Sequence, residues 1–302
     1  MQKEPKIKIF VAHHKPWYIY EDDIYVPIQV WKKKSKVDLW ILWDDTGDNI
    51  SDKNSNYAEL TAQYWVWKNY DLSDVDYVWF CHYRRYMTYR YKINLFWYVF
   101  AKNFYNSEGT NRFTRRIRSL RERNHLSKFN ESNLKENSRN ISDFIKNNPF
   151  DVYTPYKDIY IVWKILSKLW IDHKSTSWYR NEWEIEKESW KLLIQMYPEQ
   201  KKIMKDVQEE CKEYYMLHRH MFIMKKELFI QYAKRLFDYL FILEKVIQEK
   251  KLDTKNYFSW DSRFIWMFSE PLINYWLTYM QKEKNIKISS RANTLMFTDY
   301  YI

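Results

Sequence analysis

Glycine is nearly absent from this chain, with 2 in 302 residues, where average usage of about 7% would supply roughly 21. Few residues are left that take a positive φ without strain, so tight turns and close backbone approaches are hard to build. Glycine-rich phosphate cradles are excluded with it. No Gly-x-x-x-x-Gly-Lys-Ser/Thr or Gly-x-Gly-x-x-Gly run occurs, even with every Trp read as Gly. His-Glu-x-x-His and the nucleophile elbow are missing too. Ordinary ATPase, dehydrogenase, metalloprotease and hydrolase readings therefore lose support. Cysteine is also scarce: Cys81 and Cys211 are far apart and suggest neither a disulfide framework nor a zinc site. No run of 18 or more apolar residues predicts a membrane span. A first strand close behind Met1 leaves no room for a signal peptide. A cytoplasmic protein is expected.

Tryptophan stands in glycine's place, with 16 copies. Trp40 and Trp43 flank Ile41-Leu42 just before an acidic turn, and Trp79 interrupts Asp76-Tyr77-Val78-Trp79-Phe80-Cys81. Strand ends and turns are where a chain needs a positive φ or no Cβ. The pattern implies UGA codons for glycine translated as tryptophan; a genuinely Trp-rich chain is the alternative. Charge is the other excess: 50 Lys+Arg against 39 Asp+Glu, a net +11. Such a surplus attracts phosphates in nucleic acid, lipid or nucleotide-linked substrates. Simple solubility, or a codon bias toward lysine, would give the same number.

Residues 6–12 read as a short buried strand followed by the polar turn His13-His14-Lys15-Pro16. A second strand is expected over Val37 to Trp43, a helix over Tyr57 to Asn69, and a third strand over Val75 to Cys81. This is α/β grammar, in which loops at the carboxyl ends of strands build the ligand site. Residues 90–148 read as a basic and aromatic insertion in a single domain. The part from Leu95 to Arg123 suits an anionic membrane surface, or is simply a solvated insertion. Asp151 to Pro155 returns to strand-like sequence, and the C-terminal half is helix-rich. There Leu228, Tyr232, Leu236 and Leu240 step by four, and a second helix is expected from about Ser262 to Met280.

Three polar runs fall at strand ends. In the run from Asp44 to Asn54, the residues Asp44, Asp45, Asp48, Asn49, Lys53 and Asn54 could hold ribose or sugar hydroxyls or a hard cation. A helix-capping turn is the alternative there. His82-Tyr83-Arg84-Arg85 offers fixed donors to phosphate oxygens, or forms a surface cluster pairing with the acidic run. His14-Lys15 is a weaker signal in isolation. Glu59 holds Lys53 or a sugar hydroxyl, or serves the helix dipole.

Together these runs resemble the bacterial glycosyltransferase family of capsule and exopolysaccharide biosynthesis catalogued as domain of unknown function 4422. The likeness lies in Ile9 to Pro16, in Gly47-Asp48-Asn49-Ile50-Ser51-Asp52-Lys53-Asn54 through to Asn69, and in Asp76 to Tyr86. Met221 to Phe229 and Arg263 to Glu270 also match, whereas 88–148 does not. Trp31, Trp40, Trp43, Trp79 and Trp266 stand where the family is expected to have glycine, and His220 where asparagine is expected. The resemblance implies a GT-A-like, Rossmann-type sheet and sugar transfer from a nucleotide-sugar, a UDP-sugar, to a growing lipid-linked glycan. It implies no cofactor, with a divalent metal left open. The position of the usual Asp-x-Asp metal motif holds His82-Tyr83-Arg84-Arg85, whose cations could replace the ion; Asp44, Asp45 or Asp48 are the alternative ligands. Glu270 is the candidate catalytic base of an inverting transfer, or a structural partner of Arg263. A basic nucleic-acid-binding protein is the competing class, but the acidic run beside the arginines would repel a phosphate backbone, so no nucleic-acid partner is expected.

Overall fold

The structure, a computed structural model, describes residues 3–88, 131–155, 222–249 and 263–296 and four positions between 191 and 198. Strand β1 (Ile7–His13) is buried at every residue but Lys8. It lies between two parallel neighbours, β2 (Tyr25–Gln29) and β4 (Tyr77–His82), and β2 in turn pairs with the two-residue β3 (Leu42–Trp43). Parallel strands covered on both faces read as continuous apolar runs, which is why β1 and β4 were visible in the sequence. From β1 the chain moves outward to β2 and β3, then returns across β1 to β4. That reversal is a topological switch point, located at the carboxyl ends of β1 and β4.

Beyond β4 the sheet is mixed. Strand β7 (Ile223–Lys225) pairs antiparallel with Tyr77 to Trp79, and β5 (Arg85–Thr88) folds back antiparallel from the Tyr83-Arg84 turn, pairing Arg85 with His82. Strands β8 (Ile288–Met296) and β6 (Val152–Pro155) complete an eight-stranded sheet.

Strand β2 was not among the expected elements; it carries Pro27, a residue seldom found inside sheets, in register with Val11. The expected strand Val37 to Trp43 is extended only at its end. Gln29 takes its place: its amide donates to the Val37 carbonyl at 2.7 Å and accepts from the Leu39 N–H at 3.0 Å. Asp38 then accepts from the Trp40 N–H at 2.9 Å, and the chain turns with Trp40 at φ 56. Trp31 has φ 63, the same left-handed region. Trp43, Trp79 and Trp266 lie inside regular strands or helix. The backbone therefore asks for glycine at 31 and 40, and not at the other three.

The expected helix from Tyr57 is split into α1 (Asn54–Tyr57) and α2 (Leu60–Asn69) by Ala58 at φ 48. Helices α3 (Glu131–Asn147), α4 (Lys226–Glu249) and α5 (Phe264–Lys284) follow. On α4 the expected face, Leu228, Tyr232, Leu236 and Leu240, is buried. Tyr64 and Trp67 of α2 pack on Phe237 of α4, the latter stacked at 5.9 Å. Helix α3, inside the expected insertion, buries Leu134, Ile141 and Ile145, and its Ser138 donates to Asp22 at 2.6 Å. The proposed membrane segment 95–123 lies outside the described residues. Among those described, no helix is long and apolar enough to cross a membrane.

Candidate functional site

His13 ends β1 and His82 ends β4, so the turns that follow lie side by side at the switch point. The Tyr83 N–H donates to the Ala12 carbonyl at 3.2 Å and clips the β4–β5 turn onto β1. The fully buried Tyr83 ring is then the hub of the cluster. Ring centroids of His82, Trp17, His14 and His13 lie 4.1, 5.1, 5.3 and 5.6 Å from it. The Arg84 guanidinium sits 5.2 Å from the same ring, and the Lys15 ammonium lies 5.7 Å from Trp17. Cations over aromatic faces are held in place without losing their charge.

A third element completes the group. Arg263, exposed at the N-terminus of α5, acts electrostatically on His14 together with Lys15 and Arg84. Desolvation first, and these three cations next, hold the His14 imidazole below its ordinary range. None of Lys15, Arg84 and Arg263 has an ion-pair partner among the described residues. Three cations from three separate elements, unpaired among the described residues, can together receive an anion.

Under the cations lies a set of buried polar atoms with no hydrogen-bond partner: both ring nitrogens of His13, the Tyr83 hydroxyl and the Trp17 indole N–H. Native structures leave few such groups unsatisfied, and those they leave call for an explanation. Burial, and then the neighbouring His14, lower the His13 pKa to about 4.

The acidic run behaves differently. Asp44 is fully buried and holds backbone, accepting from the N–H groups of Trp31 and Lys32 at 3.0 and 3.1 Å and from the Ser51 hydroxyl at 2.6 Å. No part of it is exposed, and its carboxylate is spent on the loop. Asp48 accepts from the Tyr64 hydroxyl at 2.9 Å, and its backbone is latched on both sides by the Asn69 amide. Gly47 (φ 57) lies so close that a Cβ would run into that amide oxygen. Asn49 donates to the carbonyls of half-buried Asp45 and of Gly47. Asn54 donates to the Ala58 carbonyl at 2.6 Å and to the Thr61 hydroxyl. Lys53 donates to Glu244 of α4 at 2.6 Å, and the Tyr57 hydroxyl donates to the same carboxylate at 3.1 Å. These partners lie on α2, on α4, just after β2 and in the run's own turns, not on the β1 and β4 ends. Glu59 is half-buried where α2 begins.

The structure thus joins His14, Lys15, His82, Tyr83, Arg84 and Arg263, while the Asp44–Asn54 run mostly satisfies its own loop. Arg85 lies on β5 and Glu270 on α5, with both side chains outside the described residues. His13, Trp17 and Glu244 were missed. The doubled histidine at the end of an apolar strand was a usable signal for His13; nothing in the sequence pointed to Glu244. Among the described residues no group of three or more His, Cys, Asp or Glu could hold a metal ion. A shallow hollow lined by Asp76, Tyr77, Ile145 and Lys225 lies at the amino end of β4, away from the cluster.

The family model DUF4422, a domain of unknown function, matches residues 8–283. The chain belongs to this family. No curated protein matches it. Among solved structures it is similar to the apo form of WbbM, a bifunctional glycosyltransferase, with a TM-score of 0.71 and 25% identity. The match covers 97% of this chain and 46% of that one, so this DUF4422 chain spans a little under half of WbbM. The α/β fold, with its parallel β3-β2-β1-β4 half, is GT-A-like.

Proposed function

We propose that the chain is a glycosyltransferase that moves a sugar from a nucleotide-sugar, a UDP-sugar, to a growing lipid-linked capsular or exopolysaccharide glycan. The observation that carries this reading is the convergence of Lys15, Arg84 and Arg263, unpaired among the described residues, at the switch point of the sheet. Open α/β sheets bind their ligands there, and a nucleotide-sugar brings two phosphates to it. The likeness to a bifunctional glycosyltransferase supports the reaction class. Its donor and acceptor are not carried over with that likeness.

In the transfer, the bond from the sugar C1 to the phosphate oxygen breaks and its electron pair stays on the diphosphate. The acceptor oxygen bonds to C1 and gives its proton to a base, the role assigned to Glu270. Charge develops on the departing diphosphate, where Lys15, Arg84 and Arg263 stabilise it in the manner of a preorganised electrostatic site. The acidic run serves the donor indirectly, by fixing the loop that carries α1 and α2. Membrane contact by residues 95–123 would bring a lipid-linked acceptor within reach.

A thermal-shift screen against UDP-, GDP- and TDP-sugars, followed by an assay of nucleoside diphosphate release, tests the proposal. Stabilisation by one nucleotide-sugar class with acceptor-dependent release is expected. No stabilisation and no release with any of them would refute it.

A further inference from the structure

His14 is the exposed ring of the strand-end cluster, and the charges acting on it have one sign. Lys15 follows it in the chain, Arg84 comes from the β4–β5 turn and Arg263 from the start of α5. Its remaining neighbours are the rings of Tyr83 at 5.3 Å and His82 at 5.8 Å, and the His13 ring behind them. Among the described residues no carboxylate stands with these cations as a charge acting on it. An imidazole facing three uncompensated cations stays neutral around neutral pH and keeps a ring nitrogen able to take a proton.

An incoming diphosphate changes the sign of that field. Its negative charges neutralise the three cations and place an opposite charge beside the ring, which favours the imidazolium. We propose that a diphosphate docking on Lys15, Arg84 and Arg263 drives proton uptake by His14, which becomes a fourth cation of the site and donates a hydrogen bond to a phosphate oxygen. This rests on the anion-site reading above and adds a group whose charge the ligand itself creates. In the bound state His14 titrates higher than in the free protein. Affinity is therefore fullest below the free-protein midpoint and falls as pH rises through the bound-state midpoint. The imidazolium then stands beside the diphosphate as the sugar departs, and its N–H stabilises the oxygen that keeps the electron pair.

The test uses the full chain with 13C-labelled histidine, titrated by NMR with and without saturating inorganic pyrophosphate. The chain has 7 histidines, and the signal lost in His14→Gln identifies His14; the other signals report that this variant is folded. In the free protein His14 should titrate below the ordinary imidazole range, and pyrophosphate should raise its midpoint by about one pH unit or more, as one close opposite charge does. In Arg84→Gln the free-protein midpoint should already be higher. Histidine signals that respond to pyrophosphate while the His14 midpoint stays fixed would overturn the coupling and leave the anion site standing. If no histidine signal responds to pyrophosphate, the anion site falls, and the coupling with it.

Discussion

The imidazole of His13 lies stacked on the ring of Tyr83 at 5.6 Å and 28°, joining the ends of β1 and β4 through two side chains whose polar atoms have no hydrogen-bond partner. The pair is the floor on which the cationic cluster stands. Its burial has a consequence for acid stability.

His13 is held neutral in the folded state, with its pKa lowered to about 4 against an ordinary 6.5. Between these values the unfolded chain binds a proton that the folded one refuses. The contribution is complete above about pH 6.5 and is lost as pH falls toward about 4, amounting to about 3 kcal/mol. Urea unfolding across this range should show a steeper acid loss in the wild type than in His13→Gln. Equal slopes would mean that His13 is hydrated or paired in solution.

Asp44 is a structural acid by the same standard. Burial pushes its carboxyl up, against the hydrogen bonds it receives from Ser51, Thr61, Lys32 and Trp31. Asp44→Ala would strip the partner from two backbone N–H groups and should cost about 2–4 kcal/mol. Affinity for a nucleotide-sugar, measured on folded protein, should change little. A variant of normal stability that had lost only binding would return Asp44 to the ligand.

Trp31 and Trp40 occupy left-handed backbone, and the Trp40 side chain is 84% exposed. Left-handed conformation costs a residue with a Cβ about 1–2 kcal/mol relative to glycine. Trp31→Gly and Trp40→Gly should therefore each raise the thermal midpoint, whereas Trp79→Gly, emptying a fully buried position in β4, should lower it. Peptide masses of the protein from its native cells should show glycine at 31 and 40. Intact indole masses at both positions would end the recoding idea there.

Much of the fold was legible because β1 and β4 are continuous apolar runs and the Leu228 face of α4 steps by four in plain view. The cluster at the switch point was half legible: polar residues right after apolar strands marked His14, Lys15 and His82 to Arg84. Arg263 could be tied to them only through the family likeness, because nothing local reveals that the start of α5 comes within electrostatic reach of His14. The run from Asp44 to Asn54 was ambiguous for a physical reason. A cluster of carboxylates and amides reads the same whether it awaits a ligand or caps its own turns. Here Asp44 and Asn54 spend their hydrogen bonds on neighbouring backbone. Trp40 hid a turn inside what looked like a strand.

Calorimetric binding of UDP-glucose, UDP-galactose and UDP-N-acetylglucosamine to the wild type, Arg84→Ala and Arg263→Ala tests the central claim most directly. One charge-assisted contact contributes about 1.5–3 kcal/mol, so each variant should bind the preferred donor about tenfold more weakly or worse. Lys245→Ala, on the exposed side of α4 and paired with Glu249, should bind like the wild type. Equal affinity in the wild type and both arginine variants would contradict the account and move the donor away from the β1 and β4 ends.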